Sequence, residues 1–186
     1  MTRYGIGFFV LALSACNTLS YTEPTSGERA RVRFATTSSS ITVLFSYDDA
    51  QCQANEQEMM RLRDGFLINA SPKRVGMPLW EFNDNAAKEV YVSASRPFNA
   101  MIKAQTQKGA GYNGTYLYQE WTSCAVPFSI ALQPDHDYEL KLDEGQCALV
   151  ASELIRAGDG YTRTPVAVQV NKNEGCRAAF DKTRVY

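Results

Sequence analysis

The chain has 186 residues, with 19 Lys and Arg against 20 Asp and Glu, one His, and a formal net charge of −1. That balance argues against a nucleic-acid partner, because binding a phosphate backbone needs a surplus of cations on one face. The single His, with no G-x-S-x-G, H-E-x-x-H, phosphate-loop or EF-hand spacing, leaves the common hydrolase and metalloenzyme classes without their usual groups. No cofactor is expected.

At the N-terminus, Arg3 precedes an uninterrupted apolar run, residues 5–13 (GIGFFVLAL). The run is far short of the roughly 20 residues a membrane-spanning helix needs, and it has the length of a secretory signal core. An ordinary export cleavage site wants small residues one and three positions before the cut. Ala15 fits, but Leu13 is too large.

Leu13-Ser14-Ala15-Cys16 resembles the lipobox of bacterial lipoproteins. The resemblance implies a diacylglycerol on the Cys16 thiol, cleavage just before Cys16, and an acyl chain such as palmitate on the new amine. Residues 1–15 are then a signal peptide, 16–27 a lipidated tether and 28–186 the folded domain. Each buried methylene contributes about 0.8 kcal/mol, so two or three chains hold a protein on a membrane where one does not. In the enterobacterial lipoproteins that this segment resembles, Asp after the Cys signals retention at the inner membrane. Asn17 therefore implies the periplasmic face of the outer membrane. As a whole the chain resembles envelope lipoproteins of Gram-negative bacteria. That likeness adds no activity; the membrane is the expected partner through the lipid anchor, and an envelope protein partner is expected from the Tyr-rich segment 106–121.

Removing 15 of 186 residues leaves 171, one domain by length, able to bury roughly 70% of its unfolded surface. Cys52, Cys124, Cys147 and Cys176 are then the remaining cysteines, an even number in an exported chain, and they read as two disulfides with three possible connectivities. None is spaced C-x-x-C, so neither a zinc knuckle nor a redox pair is indicated.

After the polar residues 17–27 (NTLSYTEPTSG) come short segments with period-two alternation. In residues 28–34, Ala30, Val32 and Phe34 share one face and Arg29, Arg31 and Arg33 the other. Further strands are expected at 41–46, 90–94, 98–105, 122–132, 138–142, 147–154 and 166–170. Residues 55–68 (NEQEMMRLRDGFLI) are rich in helix formers and predict one or two helical turns ending at Gly65. Eight short strands between turn signals predict an all-β fold, an antiparallel immunoglobulin-like β-sandwich with one short helical insertion. A hairpin of strands 147–154 and 166–170 would return Cys176 to Cys147, leaving Cys52 for Cys124.

Leu132-Gln133-Pro134-Asp135-His136-Asp137-Tyr138 resembles the L-x-P-x-x-x-Y signature of fibronectin type III and related immunoglobulin-like domains. The resemblance implies a tyrosine corner, in which the phenol satisfies a backbone group of the turn entering a late strand. The inter-sheet Cys and Trp spacing of antibody domains is absent, and the fold itself specifies no function.

Candidate chemistry is sparse. His136 between Asp135 and Asp137 has the composition of a carboxylate-oriented base, but adjacent turn residues point in different directions. Asp48-Asp49, Asn83-Asp84-Asn85 and Asp143-Glu144 offer oxygens to calcium without the D-x-D-x-D-G spacing, so no metal site is expected. The arginine row would present three guanidiniums about 7 Å apart, which could meet lipid phosphates or an acidic partner, but it reads best as the charge that protects an edge strand from mispairing. Pro165 reads as a similar edge device. No catalytic residue is expected.

Residues 106–121 (TQKGAGYNGTYLYQEW) differ in kind. Asn113-Gly114 predicts a type I′ turn between two strands that extend beyond the sheet. Tyr with Gly and Asn is the composition of binding loops, so Tyr112, Asn113 and Tyr116 are the expected partner-binding residues. Tyr118 and Trp121 are expected nearer the core. Together these features describe a non-catalytic envelope binding or assembly module. An inhibitor or immunity-type lipoprotein that blocks a periplasmic enzyme is the alternative.

Overall fold

The computed structural model describes residues 21–63, 73–83, 85–112 and 114–177, so the expected signal peptide and lipidation site at Cys16 lie outside the described residues. Ten strands form among the described residues: β1 Arg29–Thr36, β2 Thr42–Tyr47, β3 Gln57–Leu62, β4 Ala87–Ser93, β5 Phe98–Tyr112, β6 Leu117–Ile130, β7 Asp137–Asp143, β8 Ala148–Ala157, β9 Gly160–Pro165 and β10 Gln169–Val170. They make two five-stranded sheets, one in the order β4-β1-β7-β8-β9 and the other β10-β6-β5-β2-β3. All pairings are antiparallel except β1 with β7. The all-β sandwich expected from the strand spacing is the fold that forms.

Alternation puts Val32, Phe34, Val90, Val92, Leu140 and Leu142 of one sheet against Leu44, Ile102, Val126, Phe128 and Ile130 of the other. Phe98 meets Phe34 and Phe128 at centroid distances of 6.0 and 6.1 Å. A fully buried Phe of this kind contributes about 2 to 3 kcal/mol relative to an exposed one.

Several elements differ from expectation. Residues 57–62 are strand β3, not helix, because Met60 and Leu62 enter the core while the backbone pairs with β2. Left-handed Asn55 (φ 51°) and Arg63 (φ 54°) bracket it. The short helical turn lies instead at 174–177. There the Asn173 carboxamide accepts from the Cys176 N–H at 2.9 Å, as a capping residue does. Gly175 permits the close packing of this turn, since a Cβ there would stand 2.4 Å from the Gln51 carbonyl oxygen.

Period-two alternation does not mark strand β9, and β9 decides the disulfides. It takes the place beside β8 that the 166–170 segment was expected to fill. The chain then crosses to the other sheet, where β10 pairs with β6. That crossing carries Cys176 to Cys52, and Cys147 at the β7–β8 turn meets Cys124 of β6. The pairing is therefore Cys52–Cys176 and Cys124–Cys147, a correction of the expected one. The separations of 124 and 23 residues correspond to about 5 and 3.4 kcal/mol on the chain-entropy relation. Cys52–Cys176 also seals a second, smaller core of Val43, Phe45, Tyr47 and Met101 on the outer face of the β6-containing sheet.

Residues 21–27, expected as free tether, lie on the domain. The Tyr21 N–H donates to Glu58 O at 3.4 Å and its hydroxyl to Tyr91 O at 3.0 Å. Glu23 accepts from the Tyr91 N–H at 3.0 Å and pairs with Lys73. These groups satisfy open edges of β3 and β4, which is why the chain is held there. Burial raises the Tyr21 phenol pKa to about 12.

Candidate partner-binding surface

β5 and β6 are the longest strands, and past Gln105 they pair only with each other, because β2 reaches β5 no further than Ala104. From Thr106 to Tyr112 this two-stranded ribbon runs about 20 Å beyond the sheet. A bulge between Gln107 and Gly109 shifts its register, and such bulges increase local twist. The closing pair is Tyr112 with Leu117, so four residues, 113–116, form the connection. This replaces the expected two-residue Asn113-Gly114 turn. Gly114 supplies the left-handed position (φ 90°), one that L side chains rarely adopt. Asn113 lies outside the described residues.

Tyr112 is 66% exposed and Tyr116 71% exposed, the most exposed large hydrophobics among the described residues. The Tyr112 hydroxyl donates to Gly114 O at 2.8 Å, which holds the ring over the turn. Two of the three expected partner-binding residues thus stand together at the tip of one projection. The side chains of Tyr118 and Trp121 lie outside the described set.

The arginine row belongs to a different structure from the one expected. β1 is interior, flanked by β4 and β7, so its charges do not protect an edge. Instead they organise the outer face of its sheet. Arg31 makes a two-pronged pair with Asp137 at 2.6 and 2.8 Å. Arg29 stacks on the Tyr91 ring at 4.2 Å.

Arg33 is fully buried and pairs with Glu89 and Glu139, each at 2.8 Å. It also donates to the carbonyls of Met77, Pro78 and Leu79. Glu89 answers by accepting the N–H groups of Val75, Gly76 and Met77. One ion pair therefore clamps the strap formed by residues 73–83 across the sheet, with Trp80 and Phe82 near the guanidinium. Arg163 closes the array on Glu139 and Glu81. Glu89, Glu139, Arg163 and the strap escaped sequence reasoning. All three side chains point outward on alternating strands, but only strand order shows that they meet.

Pro165 does not open the last strand, where it was expected, but ends β9, which is an edge strand of that sheet. At the corner, Tyr138 is buried and its hydroxyl accepts from the Gln133 N–H at 3.0 Å, the tyrosine-corner contact. Asp135 is left-handed (φ 62°), Asp137 is held by Arg31, and His136 Nδ1 meets Glu153. The three turn residues diverge, and no two of them cooperate on one site. Among the described residues no group of three His, Cys, Asp or Glu side chains is placed to hold a metal ion.

No protein family, no curated protein and no solved structure matches the chain.

Proposed function

We propose that this protein is a non-catalytic lipoprotein of the bacterial envelope, a binding or assembly module held at the periplasmic face of the outer membrane by acyl chains on Cys16. The observation that carries the binding role is the β5–β6 ribbon, which projects beyond the sheet and ends in exposed Tyr112 and Tyr116. A two-stranded ribbon is marginal by itself, and rings as exposed as Tyr112 and Tyr116 bury little apolar area in the domain while being suited to contact at low entropic cost. Two disulfides suit an oxidising compartment. The lipobox and the first described contact at Tyr21 leave only a few residues between lipid and domain.

The test is a photocrosslinking amino acid placed at position 116 in the lipidated protein in its own cells, with position 161 as a control on an exposed site elsewhere. The expected result is a discrete protein adduct from 116 and none from 161. Equal labelling at both positions, or none at 116, overturns the reading. An adduct consisting of a single periplasmic hydrolase selects the inhibitor reading.

A further inference from the structure

On the side of the sandwich away from Tyr21, β6 is incompletely paired. β10 covers only Phe128 and Ser129, and the Asn171 N–H then donates to Pro127 O at 2.9 Å before the chain leaves. The main-chain groups of Pro127 therefore face outward, and with no register shift in β6 the same holds for Ala125 and Ser123. The Gln105 N–H confirms the phase, since it donates to Ile41 and not toward its partner Ser123. In the other sheet β9 covers β8 only from Ser152 onward, so among the described residues no strand pairs with the outer edge of 148–150.

Between these two edges lies a cavity of about 610 Å³. Among the described residues, Met101, Ala125, Val126, Pro127 and Leu149 give it an apolar lining, Lys172 and Arg177 stand at its rim, and no carboxylate lines it. Unpaired strand edges are ordinarily guarded by charge, proline or a covering segment, because they template another strand.

We propose that this groove is a strand-acceptor site: an extended, acidic segment of a partner protein adds to β6 along Ser123–Ala125, beyond the Asn171 contact at Pro127, and places alternate apolar side chains between the sheets. The occupant follows from the complementarity, main chain to main chain and carboxylates to Lys172 and Arg177. Residues 178–186 carry Lys182 and Arg184 against Asp181, so their side chains do not complement Lys172 and Arg177. The outer edge of β6 continues from the groove toward the ribbon tip, so the inference deepens the binding-module reading and rests on it.

The probe is a fluorescein-labelled nonapeptide of alternating Val and Glu, titrated into the purified full chain and followed by anisotropy. Saturable binding is expected. Ser123→Pro deletes one outward N–H and nothing paired with β5, a substitution that Pro127 shows the strand accepts at that phase. It is expected to weaken binding about tenfold, the scale of one lost main-chain bond plus the ring's obstruction, with an unchanged urea midpoint. Lys172→Glu with Arg177→Glu is expected to transfer preference to a Val–Lys peptide. Binding indifferent to Ser123→Pro or to charge reversal overturns the site. So does binding seen only after deletion of residues 178–186, which would make the groove a seat for the chain's own C-terminus. Tyr112→Ala with Tyr116→Ala leaves the peptide titration unchanged, so failure of the groove and failure of the ribbon tip are separately visible.

Discussion

Arg33→Met is the most informative perturbation of the fold. Met retains most of the aliphatic stem and removes the cation, leaving Glu89 (0% exposed) and Glu139 (6% exposed) without their buried partner. It also removes the donors that hold the carbonyls of Met77, Pro78 and Leu79. Removing one member of a buried pair costs about 3 to 5 kcal/mol, most of it from the carboxylate left uncompensated. Arg163 continues to serve Glu139, so the loss concentrates on Glu89 and the strap it anchors.

Urea denaturation at pH 7 with both disulfides intact measures the cost. Arg33→Met with Glu89→Gln should lose less than Arg33→Met alone, because Gln retains an oxygen for the strap N–H groups and carries no charge. A pH series provides a second reading. Burial pushes the Glu89 carboxyl up, but the Arg33 guanidinium and the N–H groups of Met77 and Val75 outweigh it and hold it below its ordinary value of 4.5. A depressed carboxylate contributes stability that is complete above the unfolded value and disappears as pH falls through the folded one. The wild-type midpoint should therefore fall below about pH 4.5, and less steeply in Glu89→Gln. A cost for Arg33→Met under about 1 kcal/mol, or simple additivity in the double variant, refutes the clamp.

Cys16→Ser should abolish membrane attachment and leave the domain folded. Fractionation that finds the Ser variant still wholly with membranes would reveal a second anchor. Tyr138→Phe should cost about 1 kcal/mol by chemical denaturation, since it strands the Gln133 N–H and preserves the ring. Non-reducing peptide mapping should recover Cys52 with Cys176 and Cys124 with Cys147. Cys52→Ser with Cys176→Ser should lower stability by up to about 5 kcal/mol, and no measurable loss would contradict the long-loop constraint.

The strands with strong apolar alternation, β1, β2 and β5 to β7, were legible because one face of each must enter a core. β3 was not. Gln57-Glu58-Met59-Met60-Arg61-Leu62 consists of helix formers, and its extended state comes from pairing with β2 and from burying Met60 and Leu62, which local propensity does not encode. β9, Gly160–Pro165, is exposed along its whole length and carries no apolar signal, and missing it led directly to the wrong cysteine partners. The tyrosine corner was readable because its donor and acceptor lie five residues apart. The Arg33 array was not, because its partners stand 56, 106 and 130 positions away in β4, β7 and β9. At the ribbon, Tyr112 and Tyr116 are exposed, in keeping with their Gly- and Asn-rich surroundings, while the length of the projection and its four-residue connection depend on where β2 ends.

The central claim is that the ribbon tip serves a partner and not the core. It is tested most directly by the affinity of Tyr112→Ala with Tyr116→Ala for the protein that crosslinks at position 116, measured beside thermal unfolding. Two exposed anchors should weaken capture by about 2 kcal/mol or more, roughly 30-fold, and leave the unfolding temperature unchanged. Undiminished affinity, or a loss of about 3 to 5 kcal/mol in stability of the kind that follows removal of a buried ring, would contradict it.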